Sequence, residues 1–347
     1  MNIQEEIIPI LREIEILSPT AFRFRGEMMP ATAGFTPMPS VPGFPSHPLP
    51  EIPLVRDIQS MLYARCYSRR MEEAPAPPPQ TLISDPTFLP KLMQSNRSRS
   101  GWEGGWTVYQ VSPNGQVWLS KGDRQRSAVP GEFISNGPPG LAPQTGSVVN
   151  VQVARESTVA QPGFYFMYGE ALGDVWDDQS VVRFYFHAPS SAAPDLIEAL
   201  TPLLNRYQVP FRMKALNEPA MYGRTDAVVL YVARRYHDIT VRIVRQLPVN
   251  VAERLHDSTP LFARPLQPGV GVAEDPNTGE SFGMHRCRLM AEGIFDAWQR
   301  NDQSVDGRLR AVAARFTQNG LKLEFPHLSA DSVDLADVLK EVEFAYA

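Results

Sequence analysis

Apolar residues recur with a helical period at the start of this chain. Ile3, Ile7, Ile10, Leu11, Ile14 and Leu17 fall on one face of a helix over 2–17, with Pro9 as a point that kinks or divides it. The period returns over 54–71 through Val55, Ile58, Met61, Leu62, Ala64 and Cys66. Between them, residues 28–53 carry proline every few positions among Gly, Ser and Thr. That disfavours helix and sheet alike and predicts an extended, polyproline-like linker or covering loop. The run EAPAPPPQ at 73–80 stops the second helix. Residues 1–100 are thus expected to form a small helical unit with proline-rich linkers.

From Trp106 the period switches to two. WTVYQVSPNGQVWLSKG reads as two alternating runs joined by SPNGQ, where Asn114 and Gly115 tolerate the positive φ of a tight hairpin turn. VVNVQVARES and GFYFMYGE add strands, and VVRFYFHAP, VPFRMKAL and TDAVVLYVARR add three more. Helical spacing appears over 195–207, on Leu196, Ile197, Leu200, Leu203 and Leu204, then over 237–256 and through most of 284–347. The 187–209 connection is long enough to cross over between parallel strands. The expected fold class is α+β: residues 101–347 form a mixed β-sheet with helices packed on one side, behind the helical N-terminal unit.

Alternation sorts the polar residues of that sheet. Arg183, Tyr185 and His187 project together, opposite Val182, Phe184 and Phe186; Arg212 and Lys214 likewise oppose Phe211, Met213 and Ala215. One basic, His-bearing face is what an anion site requires, and a solvated face is the plainer alternative. Lysine usage favours the site. Lys and Arg total 33, yet only Lys91, Lys121, Lys214, Lys322 and Lys340 are lysines. A chain that otherwise uses arginine has kept at Lys214 the one cation able to work as a neutral base, provided burial or neighbouring cations such as Arg212 or Arg224 depress its pKa. Compositional accident is the competing explanation.

Composition narrows the partners. At 347 residues, 43% hydrophobic and 20% charged, the chain can bury a large core. A net charge of -5 excludes a nucleic-acid polyanion as the main partner, so any anion site is local. The acidic start MNIQEEIIPIL and the lack of a membrane-length apolar run lead to the expectation of a cytoplasmic protein that does not engage a membrane. Cys66 and Cys287 lack metal spacing and are expected to be buried thiols in a reducing compartment.

Most catalytic signatures fail. GESFG at 279–283 matches GxSxG, but EDPNT precedes it instead of the apolar strand that aims a nucleophilic serine. There is no GxxxxGK[ST] loop and no HExxH, and GVGVAE lacks the third dinucleotide glycine, so no metal or other cofactor is expected. The stretch 269–288 reads instead as a polar loop opening into a helix. Ser281, His285 and Arg286 lie at that helix start, where free amides and the dipole bind anions; a capped helix with a solvated arginine is the simpler reading. Tyr222 and Arg224, in the MYGRTD turn close to Lys214, are further candidates.

GWTVYQVSPNGQV, RFYFH, VPFRMK, YGRTDAVVLYV, AEDPNTGESFGMHRC and FPHLS follow one another over roughly two thirds of the chain, from Trp106 to Leu328. As a set they resemble the Hop-A type III effector family, whose domain also occurs in bacterial peptide-modifying gene clusters. Members from class V lanthipeptide and thioamitide pathways act as lyases on phosphoserine or phosphothreonine made by a kinase-like phosphotransferase. The family is distantly similar to the phosphothreonine lyases of enteric effectors, which use a lysine base and the histidine of a Lys-x-His strand motif. By resemblance, Lys214 falls at the base and His187 at the acid. Tyr185 stands where the motif has its first lysine, so phosphate neutralisation passes to arginines.

The resemblance implies a carbon–oxygen lyase that converts a phosphorylated precursor peptide of ribosomal origin to dehydroalanine or dehydrobutyrine. Its partners would be a kinase-like phosphotransferase and a cyclase. Lys214 and His187 would be catalytic and would converge from adjacent strands. Arg183, Arg212, Arg224 and Arg286 would hold phosphate with paired donors, assisted by Tyr185, Tyr222, Ser281 and His285. Two alternatives stand beside this: a non-catalytic effector-like protein binding a phosphorylated partner, and a scaffold subunit of a kinase and cyclase complex.

Overall fold

The computed structural model describes residues 3–29, 52–71, 84–138, 140–174 and 176–334. The proline-rich linker expected over 28–53 lies almost wholly outside the described residues, as do EAPAPPPQ at 73–80 and the helical reading beyond 334.

The first amphipathic run divides in two. Helix α1 (Ile3–Arg12) contains Pro9 and buries Ile3, Ile7, Ile10 and Leu11. From Ile14 the chain is extended as β1 (Ile14–Ser18), with Ile14 and Ile16 buried and Glu15 and Leu17 outward. Two β-branched residues two apart obey the strand period, and this local fit ends the helix. Strand β1 pairs with β2 (Ala21–Phe24), and β2 with β3 (Glu27–Met28). Helix α2 (Pro53–Leu62) begins with proline, whose missing N–H costs nothing in the first turn, and continues into a π-helical turn at Tyr63–Tyr67. Helix α3 (Phe88–Ser95) follows.

A five-stranded antiparallel sheet comes next: β4 (Gly101–Val111), β5 (Val117–Lys121), β6 (Arg124–Ala128), β7 (Phe133–Ser135) and β8 (Val148–Val153), in the order β6-β5-β4-β8-β7. The hairpin expected at SPNGQ is there, closed by Ser112 N–H to Gln116 O at 2.8 Å. Only Gly115 of this turn has positive φ, at 83°. Asn114 contributes differently, its side chain accepting from Gln116 N–H at 3.1 Å.

The larger sheet holds β9 (Glu156–Ser157), β10 (Phe164–Tyr168), β11 (Val181–Phe186), β12 (Phe211–Leu216), β13 (Val228–Ala233), β14 (Arg264–Gln267) and β15 (Val270–Glu274). Its order is β14-β15-β11-β13-β12-β10-β9, and every pairing is antiparallel. The chain passes from β11 through helix α4 (Ala193–Arg206) to β12. These two strands do point the same way, as the crossover length implies, but β13 lies between them, antiparallel to both. The α+β class holds, and helices cover both faces. Val182, Phe184, Met213 and Leu230 pack with Leu196, Ile197 and Leu200 of α4 and with Val241 and Val244 of α5 (His237–Arg245). On the other face Tyr185, Val229 and Tyr231 join a core that includes α1, α2, α7 (Phe282–Gln299) and α8 (Val305–Gln318).

Two expected elements differ. The helix over 237–256 stops at Arg245 and resumes as the short α6 (Val249–Ala252) after Pro248, which cannot donate within a continuing helix. GVGVAE, expected in a polar loop, is the buried strand β15 with the turn before it. Its glycines serve packing: at Gly271 a Cβ would approach Ala263 and Thr259 to 3.1 Å, and Gly269 has φ of +72° in the turn. Among the described residues no helix is long and apolar enough to cross a membrane.

Candidate functional site

Strand register sets the polar residues in two rows. One row runs Arg212, Tyr231, Arg183, Ala273 across β12, β13, β11 and β15; the next runs Lys214, Val229, Tyr185, Gly271. This shared face is not a solvated one. Tyr185 is 2% and Arg183 9% exposed, and the π-helical turn and α7 cover Tyr185. The Tyr67 and Phe282 rings lie 6.4 and 6.2 Å from that of Tyr185, centroid to centroid.

Tyr231 stands among cations. The guanidinium carbons of Arg212 and Arg183 lie 4.7 and 5.3 Å from its ring centroid. Burial pushes its phenol pKa up, but Lys214, Arg183 and Arg212 overrule that and hold it below the ordinary value. Arg183 is committed to Asp275, its Nε donating to Oδ2 at 2.8 Å. Arg212 has no carboxylate partner among the described residues, and its Nε is buried without a hydrogen bond. A buried donor left unanswered costs about 1–3 kcal/mol, which an incoming anion would recover. Nearby, Lys214 Nζ donates to Gln161 Oε1 at 3.3 Å and rests 4.2 Å from the Phe164 ring centroid.

His187 continues the line of β11, its N–H donating to Gly269 O at 2.9 Å. Its Nδ1 lies 3.2 Å from Ser258 O and 2.9 Å from Ser258 Oγ. A carbonyl only accepts, so that bond assigns the proton to Nδ1 and leaves Nε2 as an acceptor. Burial and the neighbouring His256 pull the imidazole pKa down to about 4, against opposing effects of Ser258 and Asp226.

His187 and Lys214 do not come from adjacent strands as expected, since β13 separates β11 from β12, and they are not hydrogen-bonded to each other. They share a neighbour instead. Asp226, at the start of β13, favours the His187 imidazolium, and its own carboxyl is held below the usual range because Arg224 and Lys214 outweigh burial. Arg224 binds Asp226 at 2.8 and 2.9 Å and donates to Tyr63 Oη at 3.0 Å, while Tyr63 donates to Asp226 at 3.3 Å. Arg224 is therefore already engaged.

The remaining candidates serve other contacts. Tyr222 donates to Leu216 O at 2.7 Å and packs edge-on against Phe88. Ser281 caps α7, accepting from Met284 N–H at 3.4 Å. Arg286 is 0% exposed; it donates to Pro326 O at 2.7 Å, Leu328 O at 2.8 Å and His285 Nδ1 at 2.6 Å. Burial draws its pKa to about 10, and burial with Arg286 and Arg288 beside it draws His285 to about 3. The start of α7, expected to help hold phosphate, is satisfied by the protein's own groups.

A cavity of about 560 Å³ opens beside Tyr231, lined by Tyr168 and Arg212 and by Arg124 and Arg126 of the five-stranded sheet; Lys214 and His187 are not among its lining residues. Sequence reasoning did not assign roles to Tyr231, Asp226, Tyr63 or Gln161. Tyr231 lies in the apolar run VVLYVA and reads as core; the one signal is its alternation with Val229 beside the basic strand.

The model of the HopA1 effector protein family matches residues 155–328, which hold the whole seven-stranded sheet together with α4 to α8. No curated protein matches the chain. Solved structures similar to it include two effector proteins. The effector protein from Pseudomonas syringae pv. tomato strain DC3000 is 17% identical with a TM-score of 0.44, over 80% of this chain and 90% of that one. The effector protein from Pseudomonas syringae pv. syringae strain 61 is 17% identical with a TM-score of 0.41, over 78% and 88%.

Proposed function

The chain belongs to the HopA1 effector protein family, and from the arrangement on its large sheet we propose that it is a phosphoserine or phosphothreonine lyase. Its substrate would be a phosphorylated ribosomal precursor peptide and its product dehydroalanine or dehydrobutyrine. The observation that carries this reading is Arg212: a half-buried guanidinium without an acid, beside Lys214 and Tyr231, on the wall of a cavity. A bidentate phosphate contact is what such a group lacks.

In the proposed reaction Lys214 takes the Cα proton, acting as base once its ammonium has given up a proton. The C–H electron pair becomes the Cα=Cβ bond, and the Cβ–O bond breaks with its pair leaving on phosphate. Arg212 is the first phosphate ligand, because Asp275 holds Arg183 and Asp226 holds Arg224. His187, neutral at rest, serves as the acid only after gaining a proton, which an arriving phosphate dianion favours. Base and acid are each worth roughly 10²- to 10⁴-fold. A kinase-like phosphotransferase would supply the phosphorylated peptide, and a cyclase would consume the dehydro residue.

The test is the mass of a phosphoserine peptide after incubation with the protein. Elimination removes the elements of phosphoric acid. Recovery of the free hydroxyl, or an unchanged peptide, overturns the reading. One observation favours a second reading, phosphopeptide binding without chemistry: Lys214 Nζ is engaged by Gln161 and Phe164. Binding without turnover, unaffected by Lys214→Ala, would select it.

A further inference from the structure

The cavity beside Tyr231 is bounded by two different sheets. Register places Arg126 opposite Leu119 and Arg124 opposite Lys121, so both arginines lie on the face of the small sheet that buries Trp106, Val117 and Leu119. Arg124 is answered by Glu103 at 3.1 Å. Arg126 is not: its guanidinium carbon lies 5.9 Å from the Trp106 ring centroid, and among the described residues it has no carboxylate partner. Arg212 on the large sheet is in the same condition. Two guanidinium groups without acids, carried by separate sheets, line one hollow.

The same cavity is also lined by Glu132, Asp174, Asp177 and Asp178. Asp174 and Asp177 hold Arg235, each at 2.8 Å, while Glu132 and Asp178 are exposed. With Asp174 and Asp177 paired to Arg235, the acid-free Arg126 and Arg212 suit one anionic group on a peptide, while the acids lining the same cavity disfavour a polyanion. The volume of about 560 Å³ falls within the range of ligand pockets and would take about three extended residues.

We propose that the five-stranded sheet forms the second half of the substrate site, with Arg126 gripping the phosphorylated segment while Arg212, two residues before Lys214 on β12, holds it from the large sheet. This deepens the lyase reading and rests on it for the identity of the anion. The sheet, residues 101–153, lies outside the family match at 155–328. Arg126 acts in binding and takes no part in bond breaking.

The test uses the full chain with a fluorescein-labelled peptide carrying one phosphothreonine, its unphosphorylated twin, and inorganic phosphate as competitor. Anisotropy gives affinity and phosphate release gives rate, for the wild type, Arg126→Gln, Arg126→Glu and Gln125→Glu, the last altering charge on the opposite face of the same strand. Loss of one charge-assisted contact predicts that Arg126→Gln raises Kd and KM for the phosphopeptide about tenfold. Arg126→Glu should raise them further, with kcat and melting temperature nearly unchanged, weak binding of the twin unaffected, and Gln125→Glu behaving as wild type. The proposal is overturned if Arg126→Glu binds like wild type, if both peptides weaken alike, or if kcat falls without KM. If the wild type binds phosphopeptide through Arg126 but never eliminates phosphate, the lyase reading fails and this proposal stands. Turnover that ignores Arg126 gives the reverse.

Discussion

Lys214 and Tyr185 stand in one row of the sheet, each opposite Val229 of the strand between them. Two strand spacings, about 10 Å, separate their backbones, and His187 lies further along the line of β11. The proposed base and acid are therefore distributed over a surface rather than in contact, with Asp226 acting electrostatically on both.

Arg212 and Arg286 separate recognition from architecture. Arg212→Ala is expected to leave the melting temperature close to wild type, since no hydrogen bond is lost, and to weaken phosphopeptide binding about tenfold or more. Arg286→Met removes three hydrogen bonds and strands the Pro326 and Leu328 carbonyls, so it should cost on the order of 3 kcal/mol in stability. Denaturant melts and anisotropy on both variants check the contrast; a stable Arg286→Met would contradict it.

What the sequence could reveal follows from range. Alternation is local, and from it Arg183 and Tyr185, like Arg212 and Lys214, are legible as sharing a face. Which strand lies between them is a long-range choice, and nothing near Lys214 announces β13. Burial is equally invisible: Arg286 reads like any helix-start arginine, yet it is enclosed by the C-terminal segment around Pro326 and Leu328. Ile14 misled because one residue fits both the helical spacing from Ile10 and the strand spacing to Ile16.

Stability should fall as pH is lowered from 6.5 towards 4. His187 ordinarily titrates at 6.5 but is held near 4 in the fold, and His285 near 3. Through that window the unfolded chain binds more protons than the native one, so unfolding becomes easier as acid is added. His187→Gln should flatten part of the slope. Melting temperatures across the range check this, and a flat profile contradicts it.

Gly283 lies against the ring that covers the site. A Cβ there would come within 2.4 Å of Tyr67, which stacks on Tyr63 and packs against Tyr185. Gly283→Ala should therefore destabilise by about 1–3 kcal/mol through overpacking, despite alanine's better helix propensity. Thermal denaturation gives the sign; a more stable variant would show that Tyr67 moves aside freely.

Lyase activity stands or falls on the fate of a phosphothreonine peptide incubated with wild type and with Lys214→Ala, read by mass spectrometry after trapping with a thiol. With the wild type a thiol adduct should form at the former phosphothreonine. With the variant the rate should be lower by roughly 10²- to 10⁴-fold while the phosphopeptide is still bound. Undiminished adduct formation by Lys214→Ala, or no adduct from the wild type, would contradict this reading.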